Sequence, residues 1–344
     1  MIRFDSDYVQ GTHPRILERL LKTNKTEYPG YGTDEHVRRA KAHIQAACQA
    51  PEADVHLMVG GTAANLTIIA SILRPHQGVI SPDSGHISTN ETGAIEATGH
   101  KVLTVPNTAG KLTAEQIRAM HDAHWAKGNR EHVVQPGMVF ISHPTEVGTV
   151  YTLAELEAIS AVCREKGLPL MLDGARLGYG LAAIGTDVTL PDIARLCDAF
   201  YIGGTKVGAL FGEAVVFPNP KFGQEFRYHI KQHGGMLAKG FLLGIQFECM
   251  FEDGLYFELG RHGVAEAAYL REGMLELGIP MQYDTKANQL FPRLPDGLVK
   301  TLLNDFTFHQ WEKPNETETV IRLCTSWSTK RESVEAFLEA IKRG

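Results

Sequence analysis

The sequence predicts an α/β fold: a large domain on a mainly parallel sheet, followed by a smaller α+β C-terminal domain. Three observations predict it. From about residue 13 to residue 220, short apolar runs alternate with segments of helical period, the pattern of βαβ units. Several of those runs end in glycine-bearing loops, as strands do where they reach a ligand-binding edge. After Phe217 the pattern changes to long helical stretches and then to short separated strands.

The strands of the large domain are expected at Asp54–Val59, Gly78–Ser81, Lys101–Val105, Met138–Ile141, Pro169–Leu172, Ala199–Ile202 and Ala214–Phe217. Between them, a hydroxyl residue ahead of an amphipathic run marks a helix start, because its side chain can accept a bond from a free N–H of the first turn. This places helices at Asp34–Ala47 after Thr33, Ala114–Ala126 after Thr113 and Leu153–Lys166 after Thr152; the run Thr62–Leu73 follows a glycine pair instead. Helical stretches at about 221–250 and 254–277, strands near 287–293, 304–310 and 319–324, and a closing helix near 331–342 make up the second domain. The boundary is expected near residue 245, giving domains 1–245 and 246–344, with the N-terminal segment free to pack on the smaller one.

Composition removes several function classes. The net charge of −6, from 34 basic and 40 acidic residues spread along the chain, offers no basic stripe for nucleic acid. No run of about 18 apolar residues suggests a membrane span. The five cysteines are far apart and form no CxxC pair, so neither a disulfide framework nor a zinc site is expected, and the reading is of a cytoplasmic protein.

Three short segments carry chemistry. Pro169-Leu-Met-Leu-Asp173-Gly-Ala-Arg176 is an apolar strand ending in a carboxylate, a glycine and an arginine. Taken alone, such an aspartate is a turn or cap residue. Asp198-Ala-Phe-Tyr-Ile-Gly-Gly-Thr-Lys206-Val-Gly is a second strand that runs into a glycine-rich turn with one lysine at its mouth. Glycines there leave room for a planar ligand, and partial desolvation lowers an amine's pKa, which an imine-forming lysine needs. In Val59-Gly60-Gly61-Thr62 a strand meets a helix through two glycines, and the free N–H groups of a helix start can cradle a phosphate. A phosphate cup, an acid able to keep a pyridine nitrogen protonated and an imine-forming lysine are together what pyridoxal phosphate (PLP) requires.

Gly60-Gly61-Thr62, Asp83-Ser-Gly-His86, Asp173-Gly-Ala-Arg176 and Gly204-Thr-Lys206, in this order, resemble the low-specificity threonine aldolase branch of the β-eliminating lyases. Phe-Asp-Ser6-Asp, Tyr31-Gly32-Thr-Asp34 and Ile321-Arg322-Leu-Cys-Thr resemble that family's opening and C-terminal motifs, so the resemblance spans nearly the whole chain. It implies the fold type I architecture of aspartate aminotransferase, PLP as cofactor, and cleavage of a β-hydroxy-α-amino acid to glycine and an aldehyde. By the same resemblance Lys206 would carry the cofactor, Asp173 would pair with its ring nitrogen, and His86 would lie on the ring face near the substrate's β-hydroxyl. Gly60, Gly61 and Thr62 would hold the phosphate; Ser6, Tyr31, Arg176 and Arg322 would bind the substrate, the two arginines by gripping its carboxylate. Gln224-Glu-Phe-Arg227-Tyr-His-Ile-Lys231 resembles the family's basic segment, which reaches the phosphate of a neighbouring subunit, so a homodimer or homotetramer with shared sites is expected. No metal is called for.

Two departures bear on substrate preference. Where the family pattern has Thr-His-Asn before a glycine, this chain reads Ser142-His143-Pro144-Thr145-Glu146-Val-Gly148; the lysine context is Gly-Gly-Thr-Lys206-Val-Gly in place of the commoner Ser-Lys-Gly-Leu-Gly. The base for the β-hydroxyl proton is left open among His86, His143 and Glu146. Transamination, β-elimination and racemisation use the same cofactor and fold and stay as alternatives. A nucleotide-dependent dehydrogenase does not fit, because no GxGxxG follows the first strand.

Overall fold

The computed structural model describes residues 1–343. Its strands, in chain order, are β1 Ile2–Arg3, β2 Asp54–Met58, β3 Gln77–Pro82, β4 Lys101–Val105, β5 Gln135–Ser142, β6 Leu170–Asp173, β7 Ala199–Gly203, β8 Glu213–Phe217, β9 Gln289–Leu290, β10 Arg293–Pro295, β11 Phe306–Thr307, β12 His309–Glu312 and β13 Glu318–Cys324. Strands β2 to β8 form one seven-stranded sheet in the order β2-β8-β7-β6-β5-β3-β4. Every pairing within it is parallel except the two made by β8, which runs antiparallel to both β2 and β7.

The apolar strands of this sheet are continuous runs because both faces are covered. Side chains alternate across a strand, and here they sort into two cores. Val139, Ile141, Leu170, Leu172, Phe200, Ile202 and Val216 enter one core. Met138, Phe140, Met171, Ala199, Tyr201, Val215 and Phe217 enter the other. Burying one Val, Leu, Ile or Phe contributes about 1.5–3 kcal/mol, so a one-residue register slip, which would exchange the two sets, is strongly disfavoured.

Most helix limits follow the capping chemistry. Thr113 and Thr152 each form a full capping box, before Ala114–Trp125 and Leu153–Lys166. For the helix Glu35–Ala47 the cap is Asp34, whose side chain accepts from Val37 N–H, where Thr33 was expected. The stretch expected as one helix over about 221–250 is two, Phe226–Gln232 and Phe241–Glu252. The chain breaks after the first because Gly234 takes the left-handed conformation (φ 75°), which ends a helix.

In the C-terminal part β13 is the hub, pairing antiparallel with β9, β10 and β12, while β11 pairs in parallel with β1. Phe4 packs with Phe306, Phe337 and Ile321 in the core of this smaller unit, so the N-terminus is part of it. The buried face of Leu255–Glu276 is divided: Leu255, Leu259 and Val264 belong to a core of the large domain, Ala267, Leu270 and Met274 to that of the small one. The change from one core to the other thus falls within this helix, past Val264.

Candidate active site

Parallel strands deliver their C-terminal ends to one edge of a sheet, and the loops that leave them surround a cavity of about 750 Å³, within the usual range of a small-molecule site of roughly 300–1,000 Å³. Gly60, Gly61, Thr62, His86, Glu146, Asp173, Arg176, Lys206 and Arg322 all line it.

Asp173 is the last residue of β6 and pairs in register with Ser142 of β5. Its Oδ1 accepts from Ala175 N–H at 2.9 Å and its Oδ2 from Asn65 Nδ2 at 3.0 Å. Asn65, fully buried on the helix Gly61–Ile72, donates also to Glu91 Oε1 at 2.7 Å, and that same oxygen meets His86 Nδ1 at 2.7 Å. A chain Asp173, Asn65, Glu91, His86 thus joins two expected site residues through two that the sequence had not flagged. A carboxylate facing Nδ1 selects the tautomer with the proton on Nδ1 and leaves Nε2 with a free lone pair. Burial lowers the His86 pKa, but the Glu91 hydrogen bond and the charges of Asp173 and Glu91 outweigh it and raise it overall.

Lys206 lies three residues beyond the end of β7, in a turn closed by the Val207 N–H to Gly204 carbonyl bond. Desolvation and the neighbouring Arg176 charge lower its pKa; Asp7, Asp173 and Glu213 oppose them. A lowered pKa favours the neutral amine, the form that attacks a carbonyl. Room for the turn comes from glycines: a Cβ on Gly203 would collide with the Ala175 carbonyl oxygen, and one on Gly174 with that of Tyr201. At the opposite wall, Gly60 caps the helix Gly61–Ile72 without a side-chain hydrogen bond, and a Cβ there would meet nothing within 4 Å. The first-turn N–H groups are thereby left open to an anion.

The expected carboxylate binders are placed unequally. Ser6 is buried, with an Oγ that has no hydrogen-bond partner, as has Arg322 Nε. Arg322 donates to the Asp5 carbonyl at 3.2 Å and lies over the Trp311 ring at 5.4 Å. Arg176 gives Nε and Nη2 to Asp7, at 2.6 and 3.1 Å, in a buried fork, leaving Nη1 as its remaining nitrogen. Asp7, one residue from Ser6, was not singled out, because nothing local marks it as the partner of a residue 169 positions away.

Two expectations are redirected. His143 is fully buried outside the cavity lining; its Nδ1 accepts from Tyr151 N–H at 3.4 Å, and desolvation pushes its pKa down to about 4, so it is removed from the candidate bases. Glu146 does line the cavity, but its Oε1 already accepts from Ser142 Oγ at 2.6 Å and His86 N–H at 2.9 Å, and burial raises its pKa. Tyr31, Arg227 and Lys231 are brought together elsewhere: Arg227 donates to the Tyr31 carbonyl at 3.0 Å, Lys231 lies 5.0 Å from the Tyr31 ring centre, and none of the three lines the cavity of its own chain.

The donor set suits PLP: a buried amine, a buried carboxylate held by a backbone N–H and an amide, and an uncapped helix start, all on one cavity. Sheet, cavity and lysine define a fold type I protein. A double mutant of Thermus thermophilus aspartate aminotransferase shares the fold, with a TM-score of 0.71 at 16% identity over 100% of this chain and 91% of its own. The family model for beta-eliminating lyases matches residues 4–295, and the chain belongs to that family; it is a lyase. A curated relative from a Pseudomonas species, a low specificity L-threonine aldolase, is 33% identical over 306 residues, covering 88% of this chain and 87% of its own. Another of that name from Pseudomonas aeruginosa is 29% identical over 344 residues, covering 99% and 97%. The solved threonine aldolase of Leishmania major is similar with a TM-score of 0.97 and 46% identity, covering 100% of this chain and 99% of its own.

Proposed function

We propose that this chain is a PLP-dependent aldolase that cleaves L-threonine and related β-hydroxy-α-amino acids to glycine and an aldehyde. The observation that carries the reading is one cavity holding Lys206, Asp173, His86 and two arginines, in a chain whose relatives matched over nearly their whole length are named threonine aldolases. When bound, PLP supplies an electron sink for the negative charge left on Cα. Lys206 holds the cofactor and Asp173 keeps the pyridine nitrogen protonated. The Gly60-Gly61-Thr62 turn offers its N–H groups to the phosphate.

The substrate carboxylate is taken by Arg322 and by Arg176 through Nη1; Ser6, with a buried and unpartnered Oγ, lies outside the cavity lining and is kept as a binder on the family resemblance alone. Fixing the carboxylate sets the rotation about Cα and so selects the bond to be cleaved. His86 Nε2 accepts the β-hydroxyl proton while Glu91 steadies the imidazolium through Nδ1–H. The remaining place of Tyr31, Arg227 and Lys231 is a subunit contact, where they reach the cofactor phosphate of a second copy in a homodimer or homotetramer; their separation from their own cavity supports this. A cytoplasmic location is supported by five buried, unpaired cysteines.

The test is an absorbance spectrum of purified protein loaded with PLP, before and after borohydride, for wild type and Lys206→Ala, followed by product analysis with L-threonine, L-serine and phenylserine. A visible band that borohydride bleaches, absent from Lys206→Ala, with acetaldehyde and glycine formed from threonine, is the expected result. A protein that stays colourless overturns the cofactor; ammonia and a keto acid without aldehyde overturn the aldol cleavage.

A further inference from the structure

The strand β8 is antiparallel to its neighbours, so it starts where they end. Its first residue, Glu213, is in register with Met58 at the end of β2 and Gly203 at the end of β7. This puts a carboxyl group at the active edge of the sheet, buried (4% exposed) on the cavity wall. Its Oε2 accepts from Gly204 N–H at 3.0 Å and its Oε1 from Thr205 Oγ1 at 2.9 Å, the two residues just before Lys206. Thr205 Oγ1 in turn accepts from Gly212 N–H at 3.0 Å, closing the β7–β8 loop on itself.

The groups that face Glu213 come from every element around it: Thr205 and Lys206 from the loop, Asp173 from β6, Tyr201 from β7 and Tyr256 from the helix Leu255–Glu276. Lys206 is the one cation in that set. Glu213 makes no ion pair within 4.0 Å among the described residues, so no arginine neutralises it in advance. Burial pushes its pKa up to about 8, while desolvation and Arg176 lower that of Lys206, and each group opposes the other's shift. The charge state of one group therefore depends on that of the other.

We propose that Glu213 is a positioning residue for Lys206, holding its loop and balancing the charge on its nitrogen. The inference rests on the assignment of Lys206 as the cofactor lysine. No ion pair within 4.0 Å joins Lys206 to Glu213 among the described residues, so Glu213 acts on the Lys206 charge through space while it holds Gly204 and Thr205. A negative charge on Glu213 offsets a proton on Lys206 Nζ, which lessens the cost of a single charge in a low-dielectric site.

The experiment is a pH titration of the visible band of the PLP-loaded protein in wild type, Glu213→Gln and Glu213→Asp. Glutamine keeps the size and an oxygen for Gly204 N–H but has no charge; aspartate keeps the charge. Removing a carboxylate next to a buried cation should lower the titration midpoint by about one pH unit or more in Glu213→Gln, with Glu213→Asp in between. An unchanged midpoint in Glu213→Gln overturns the proposal and leaves Glu213 as a loop brace alone. If Glu213→Gln does not retain the cofactor, the pH dependence of Lys206 acylation in the apo proteins, followed by peptide mass spectrometry, gives the same two outcomes. No bleachable band in the wild type is a different result, the failure of the Lys206 assignment itself.

Discussion

Replacing Asp7 by asparagine should destabilise the protein far more than an ordinary polar substitution. Asp7 is 1% exposed and forms a two-bond fork with Arg176, at 2.6 and 3.1 Å, with Asn288 Nδ2 adding a third bond at 2.9 Å. The asparagine side chain would keep the shape but leave the buried guanidinium with no anion at ion-pair distance, since Asp7 is its sole carboxylate partner among the described residues. Breaking a buried pair from one side costs about 3–5 kcal/mol.

The pH dependence has a definite sign. Burial would raise the Asp7 pKa, but the Arg176 and Lys206 charges and the hydrogen bonds outweigh it and hold it below the ordinary value. A depressed folded-state pKa contributes stability that is complete above the unfolded value, about 3.9, and is lost as pH falls through the folded one. Urea unfolding of the apo protein at several pH values should show the wild-type advantage over Asp7→Asn in full at neutral pH and shrinking in acid. Arg176→Met combined with Asp7→Asn should recover most of the loss, because neither charge is then left alone. A gap below about 1 kcal/mol at neutral pH, or one that does not change in acid, would refute the reasoning.

Other outcomes follow from the same geometry. His86 acts as a base only when deprotonated, so activity should rise with pH through its raised pKa; Glu91→Gln keeps an acceptor for Nδ1–H but removes the negative charge that helps to raise it, and the acid limb of kcat/KM, read by aldehyde release, should move to lower pH. A limb that stays in place would take His86 out of the base's role. Arg322→Lys replaces a planar fork by a point charge and should raise KM for threonine by about tenfold or more with a smaller change in kcat; an unchanged KM would mean that Arg322 does not touch the carboxylate. Lys206→Ala should abolish the bleachable visible band, and Glu213→Gln should shift its titration.

How far the sequence reached can be traced residue by residue. The strands of the large sheet and the helices after Thr113 and Thr152 were legible because their signals are local: a capping hydroxyl acts within three residues, and a doubly covered strand must be apolar throughout. Asp173, Lys206 and Gly60-Gly61-Thr62 were legible for the same reason, as a carboxylate, an amine and a glycine pair at the ends of apolar runs. Glu91, Asn65, Asp7 and Glu213 were not, because each acquires its role from a partner on another element. Glu213 reaches the site because β8 runs antiparallel, and nothing within β8 itself states its direction. The same holds for His143: its neighbours in the chain made it a candidate base, and packing against Tyr151 and Gly180 buried it. Local chemistry in the chain determines which elements form and which residues stand at their ends. Which of those residues meet, and with what charge, is decided by folding, because desolvation and charge pairing depend on distances between segments that the linear order leaves open.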